Sequence, residues 1–185
     1  ERLNWINATY LANMDNQTFA KTVLIPELVG AGLEPVQGNT TVAEEIYATR
    51  PGWYDLLSEI LRPRTTVSPD VIEKSRFLYE GANVTLDQKS VEKGLTKDAA
   101  QSATVLAAAK TALEGVSEDE WKAAAIDAAL EVLPEQLDLK KRIVFQSIRV
   151  AECGNMVSPP LGESMELLGR EVCLARLERA LELCK

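Results

Sequence analysis

The sequence predicts an all-α protein built as two packed helical subdomains, and three observations lead there. Apolar residues recur at helical spacing along most of the chain, while β-branched alternation is scarce and short. Stretches rich in Ala, Leu and other strong helix formers end on Gly or Pro. Two polar, turn-rich stretches, about residues 32–41 and 81–94, interrupt the pattern. The second is placed as the boundary between a first subdomain, residues 1–85, and a second, residues 86–185.

Each element has its own signal. LNWINATYLANM reads as one helix and QTFAKTVLIPELVGAGL as a second that carries Pro26. WYDLLSEIL is a third, and Ser68-Pro69-Asp70 is expected to cap a fourth that runs through Phe77 and Tyr79. TKDAAQSATVLAAAKTALEG forms a helix ending on Gly115. The next is expected to start at Trp121, with Ala124, Ala125, Ala128, Ala129, Val132 and Leu133 on its inner stripe. Ser117 and Glu120 have capping-box spacing before it, and Pro134 stops it. DLKKRIVFQSIRVAECG is a helix closed by Gly154, with Ile143, Phe145, Ile148, Val150 and Ala151 on a broad apolar face. Two short helices around Gly169 follow. Leu161, Met165 and Leu168 share one stripe, and Leu174, Leu177, Leu181 and Cys184 the next.

Composition narrows the function. A chain of 185 residues suits one domain or two small ones and can bury a core. With 26% charged residues it reads as soluble and globular. No stretch nears the ~18 consecutive apolar residues of a membrane span. The opening ERLNWINATY shows no charged-then-apolar leader, so a cytoplasmic location is expected. The sequence holds no His, which removes the Ser-His-Asp triad, Cys-His proteases and His-ligated zinc or haem. Cys153, Cys173 and Cys184 are odd in number and lack CxxC spacing; they are expected as reduced, partly buried core thiols. There is no P-loop, GxGxxG or DxDxDG. Binding is the expected role, with no catalytic residue, metal or cofactor in this chain.

The formal net charge of −8 argues against general nucleic-acid affinity, but basic residues gather in two places. One is Arg62-Pro63-Arg64, where Pro63 turns the chain at a helix end and presents two guanidiniums. The other is Lys140, Lys141, Arg142 and Arg149. Both fit two readings: helix caps and solvated faces, or contacts to anions. Trp5, Trp53 and Trp121 lie on apolar stripes and are expected in the core, with stacking on an unpaired base as the alternative.

Several stretches occur together in one order: LNWINATYL near the start, LRPR at 61–64, EKSRFLY at 73–79, Gln146 and Arg149, then SPPLGESMELLGREVCLARLERAL at 158–181. This set resembles the C-terminal anticodon-binding region of bacterial glutamyl-tRNA synthetases, which are class I aminoacyl-tRNA synthetases. The resemblance implies an all-helical pair of subdomains that recognises the anticodon stem-loop of tRNA-Glu. It implies a monomeric ligase whose N-terminal catalytic domain, with its HIGH-type and KMSKS-type motifs, its ATP and its Mg, is absent from this chain. Arg64 matches the family position that inspects the third anticodon base, where arginine goes with accepting C and refusing G. Arg149 matches a second anticodon-contacting arginine, and Ser158, Pro159 and Leu161 match a loop and helix start that touch the bases. On charge alone, Arg62, Lys140 and Lys141 are candidates for phosphate contacts. The chain departs from the family pattern at Ser147 (usually Pro), Cys153 (usually Thr) and Gly162 (usually Phe). A helical protein-interaction module without RNA binding is the alternative; it would lack the salt dependence of a tRNA binder.

Overall fold

The computed structural model describes residues 2–35 and 42–185, and among these every regular element is helical. The all-α expectation holds. Of the expected loop at 32–41, residues 36–41 lie outside the described residues. The chain divides into two compact units, Glu1–Tyr79 and Glu80–Lys185.

In the first unit α1 (Arg2–Ala12) is followed by α2 (Asn16–Phe19), whose first turn is capped by Asp15 accepting from Thr18 N at 2.8 Å. A π turn, Ala20–Leu24, then leads into α3 (Ile25–Gly30). The π turn explains how Pro26 sits inside a continuous helical path. In a regular α-helix the proline ring would meet the carbonyl four residues back. Here Ile25 N donates to Ala20 O, five residues back, so the backbone is widened just where the ring enters. After α4 (Val42–Thr49) comes α5 (Pro51–Leu61), which buries Tyr54, Leu57 and Leu61 and packs on α2. A 3₁₀ turn, Arg62–Arg64, ends it. Then α6 (Asp70–Ser75) narrows into a second 3₁₀ turn, Arg76–Tyr79.

In the second unit Asp87 caps α7 (Gln88–Val91), which passes through a π turn, Glu92–Thr96. The remaining helices are α8 (Ala99–Glu114), α9 (Ala123–Glu131), α10 (Leu133–Gln136), α11 (Lys141–Cys153), α12 (Leu161–Leu168) and α13 (Arg170–Leu183). The core forms where α8, α11 and α13 meet, around Leu106, Leu113, Ile148 and Leu177. Gly154 ends α11 in the left-handed region at φ 75°, and a Cβ there would stand 2.1 Å from Thr85 O. Glycine is therefore needed at 154 for its conformation and for the close approach of a second backbone. Cys153, Cys173 and Cys184 are buried free thiols, as expected.

Four expectations change, each for a physical reason. Ser68 does not cap α6; instead the Asp70 carboxylate folds back to accept from Thr66 N at 2.8 Å and Val67 N at 3.2 Å. The helix expected from Trp121 begins at Ala123, because a remote carboxylate takes the capping role: Ala123 N donates to Glu166 Oε2 at 2.8 Å. Ser117 and Glu120 spend their pairing on a turn, Ser117 Oγ donating to Glu120 Oε2. With that start, the buried line of α9 is Ile126 and Leu130, continued by Leu133 of α10, while Ala124, Ala128 and Val132 are exposed. Trp5, expected in the core, is 70% exposed; α1 is held through Leu11 and through Asn7, whose amide donates to Thr66 O. Trp121 is buried as expected and donates its indole N–H to Met165 O at 2.8 Å.

Candidate nucleic-acid interface

The Arg62-Pro63-Arg64 turn follows from α5 running into a residue that lacks an N–H and fixes φ. Its two arginines go separate ways. Arg62 Nη1 donates to Ala12 O at 3.2 Å and to Met14 O, so its guanidinium closes the carbonyl end of α1. Its Nε is buried without a hydrogen-bond partner. Arg64 is exposed and fixed at one end, Nη1 donating to Ile60 O at 2.8 Å. Because a guanidinium carries five donors, this one internal bond leaves Arg64 able to donate outward.

A polar cluster that the sequence did not reveal lies in the same unit. Glu34, 8% exposed, accepts at Oε1 from Tyr54 OH at 2.7 Å, from Tyr79 OH at 2.7 Å and from Arg50 Nη2. The Arg50 guanidinium also lies over the Trp53 ring, 3.8 Å from its centroid. Burial and then the hydrogen bond to Glu34 push the Tyr54 phenol up to about 12, and the same causes raise Tyr79 further. Both phenols therefore stay protonated as donors at neutral pH. Positions 34, 50, 54 and 79 share no sequence spacing except the i, i+4 step from Arg50 to Tyr54, the one signal available beforehand.

In the second unit, α11 and the left-handed Gly154 bring Arg149, Ser158 and Pro159 together. Arg149 Nη1 donates to Ser158 Oγ and, at 2.9 Å, to Pro159 O. The intervening loop is tied at further points. Met156 N donates to Ser90 Oγ at 3.2 Å, and Val157 N to Asn155 Oδ1 at 3.0 Å. Gln146 donates to Met156 Sδ. Ser158 is half-buried, whereas Pro159 and Leu161 are buried, so Leu161 starts α12 by packing inward.

Lys140 and Lys141 open α11. Lys140 is exposed, and Lys141 pairs with Glu131 at 3.0 Å while 67% of its side chain stays exposed. Gly162, the second residue of α12, is explained by α9: the Asp127 carboxylate atoms lie 2.5–2.7 Å from where a Cβ would stand. Burial, and then the charges of Glu163 and Glu131, push the Asp127 carboxyl above its usual range.

Residues 27–181 match the family described as the anticodon binding domain. The chain belongs to that family. The anticodon binding domain is 38% identical over 177 residues to the glutamate–tRNA ligase of Saccharopolyspora erythraea, covering 95% of this chain and 32% of that one. With the glutamate–tRNA ligase of Mycolicibacterium vanbaalenii it shares 45% identity over 122 residues, 65% of this chain and 23% of the relative. The chain thus spans about a third or less of the length of the curated relatives it matches. Its fold is similar to the crystal structure of a glutamate tRNA ligase from Elizabethkingia meningosepticum, with a TM-score of 0.76 at 19% identity, covering 98% of this chain and 32% of that one. Among the described residues of the domain no group of three or more His, Cys, Asp or Glu is placed to hold a metal ion. No helix among them is long and apolar enough to cross a membrane.

Proposed function

We propose that this anticodon binding domain recognises the anticodon of tRNA-Glu as part of a monomeric, cytoplasmic glutamate–tRNA ligase. The observation that carries the reading is Arg64: an exposed guanidinium, fixed at one end on a proline turn, in a chain whose match to the family spans 27–181. Arg64 reads the third anticodon base. An unstacked C offers O2 and N3 acceptors to its donors, whereas G presents N1–H and N2–H₂ donors to the same fork. A well-aligned contact of this kind is worth about 1–3 kcal/mol of discrimination.

In the second unit, Arg149, Ser158, Pro159 and Leu161 form a group of their own for contact with the anticodon bases. Lys140 and Lys141 supply phosphate contacts, and Arg62 holds the turn that carries Arg64. Attachment of glutamate, with its ATP and Mg, belongs to the catalytic domain of the ligase, a partner outside this chain. The acidic net charge weakens binding by this domain, and its dependence on Lys and Arg contacts to phosphate makes that binding salt-dependent. Titration of the tRNA-Glu anticodon stem-loop at rising salt tests the reading. Affinity should fall steadily with salt, and an unrelated stem-loop should bind more weakly at every point. Binding that ignores salt, or that treats both RNAs alike, contradicts it.

A further inference from the structure

The loop between Gly154 and α12 is fixed from several sides, yet its tip is apolar and open. Val157 is 85% exposed, the highest value of any large hydrophobic residue among the described ones. Its neighbours do not share that freedom. Met156 is tied through its N–H to Ser90 and through its sulfur to Gln146, and Ser158 and Pro159 are tied to Arg149. Val157 N itself closes a short turn onto Asn155 Oδ1. Ser90, in turn, is anchored by Asp87, its hydroxyl donating to Oδ2 at 2.7 Å. A side chain presented on such a scaffold loses little conformational entropy when a partner covers it.

Arg149 contributes to that scaffold. Its Nη1 is directed at Ser158 and Pro159, the two residues after Val157. We propose that Val157 is a further anticodon-contacting residue, its isopropyl group packing on the face of an unstacked base, and that Arg149, besides its own place in the site, positions the loop carrying Val157 through Nη1. The inference rests on the anticodon-recognition reading and adds to it an apolar surface and a division of labour. The hydroxyl of Ser158 accepts from Arg149 and donates to Pro159 O at 2.9 Å, so it ties the loop as well.

The experiment is a binding cycle on the whole chain, using the tRNA-Glu anticodon stem-loop at low salt. It compares the parent, Val157→Ser, Arg149→Gln and the double variant. Val157→Ser should bind about fivefold more weakly, the scale of one uncovered isopropyl group, with unchanged thermal unfolding because the side chain is solvated. Arg149→Gln should also weaken binding, and its loss should shrink in the Val157→Ser background. In the RNA-free chain, Arg149→Gln should speed amide exchange at Met156 and Val157. Unchanged binding by Val157→Ser overturns the proposal while leaving anticodon recognition standing. Equal Arg149→Gln losses in both backgrounds, or unaltered amide exchange, overturn the positioning role. A parent chain that binds no stem-loop overturns the recognition reading and this inference with it.

Discussion

Ser147 donates its hydroxyl to the Gly94 carbonyl at 2.8 Å, tying α11 to the π turn that precedes α8. Gly94 is the partner because the two backbones run close: a Cβ at 94 would stand 2.8 Å from Val150 Cγ2. The departure from proline at 147 thus supplies a donor that proline lacks. Ser147→Ala should cost about 1 kcal/mol in urea denaturation, since Ser102 Oγ still donates to the same carbonyl at 3.3 Å. Ser147→Pro, which also removes a helix N–H, should cost about 3 kcal/mol or more.

Gly154 tests the geometry of the loop from its other end. Placing Ala at φ 75° costs about 1–3 kcal/mol by conformation alone. The Thr85 carbonyl, 2.1 Å from the new Cβ, adds to that because it belongs to backbone and cannot swing aside. Gly154→Ala should therefore lower the unfolding midpoint more than Ser147→Ala does. An equal or smaller shift would contradict the left-handed turn.

Glu152 gives a pH dependence. It is fully buried, its carboxylate beside the Cys173 thiol and the Arg176 guanidinium. Burial pushes its carboxyl up to about 8 from an ordinary 4.5, with Arg176 opposing. The folded chain therefore holds a proton that the unfolded chain has released between those two values. Stability should fall as pH rises from 4.5 to about 8, by an amount on the order of a few kcal/mol, and level off above. Denaturation midpoints between pH 5 and 9 would show this slope (test conditions, about four pH units). Glu152→Gln should flatten it, and a parent profile without the slope would refute the buried neutral acid.

The Gly162 and Asp127 pair predicts a coupling. Gly162→Ala forces the Asp127 carboxylate to move, a modest cost because that carboxylate is the far end of a flexible side chain. In an Asp127→Ala background the same substitution should be better tolerated, with a coupling of about 0.5 kcal/mol or more. Strict additivity would mean that the two residues do not meet.

Much of the fold was legible because helices announce themselves locally. The Gly154 stop of α11, the Gly115 stop of α8 and the break at Gly169 were all readable from short-range chemistry. The start of α9 was not, since its cap comes from Glu166, 43 residues away. Nor was the fate of Trp5, because an apolar stripe states that a face is apolar, not what covers it. For the site, the closeness of Arg149 to Ser158 and Pro159 was anticipated only through resemblance to a family. The Glu34 cluster was missed because four residues from separate elements meet only in the folded unit.

The central claim is that Arg64 reads the third anticodon base. The most direct measurement is a low-salt titration with the tRNA-Glu anticodon stem-loop and with its third-base C→G variant, each repeated with Arg64→Gln. The account predicts that C is preferred about tenfold or more over G, as one hydrogen-bonded base contact allows, and that Arg64→Gln erases the difference. Equal binding of the two RNAs by the parent chain, or a preference that survives Arg64→Gln, would contradict it.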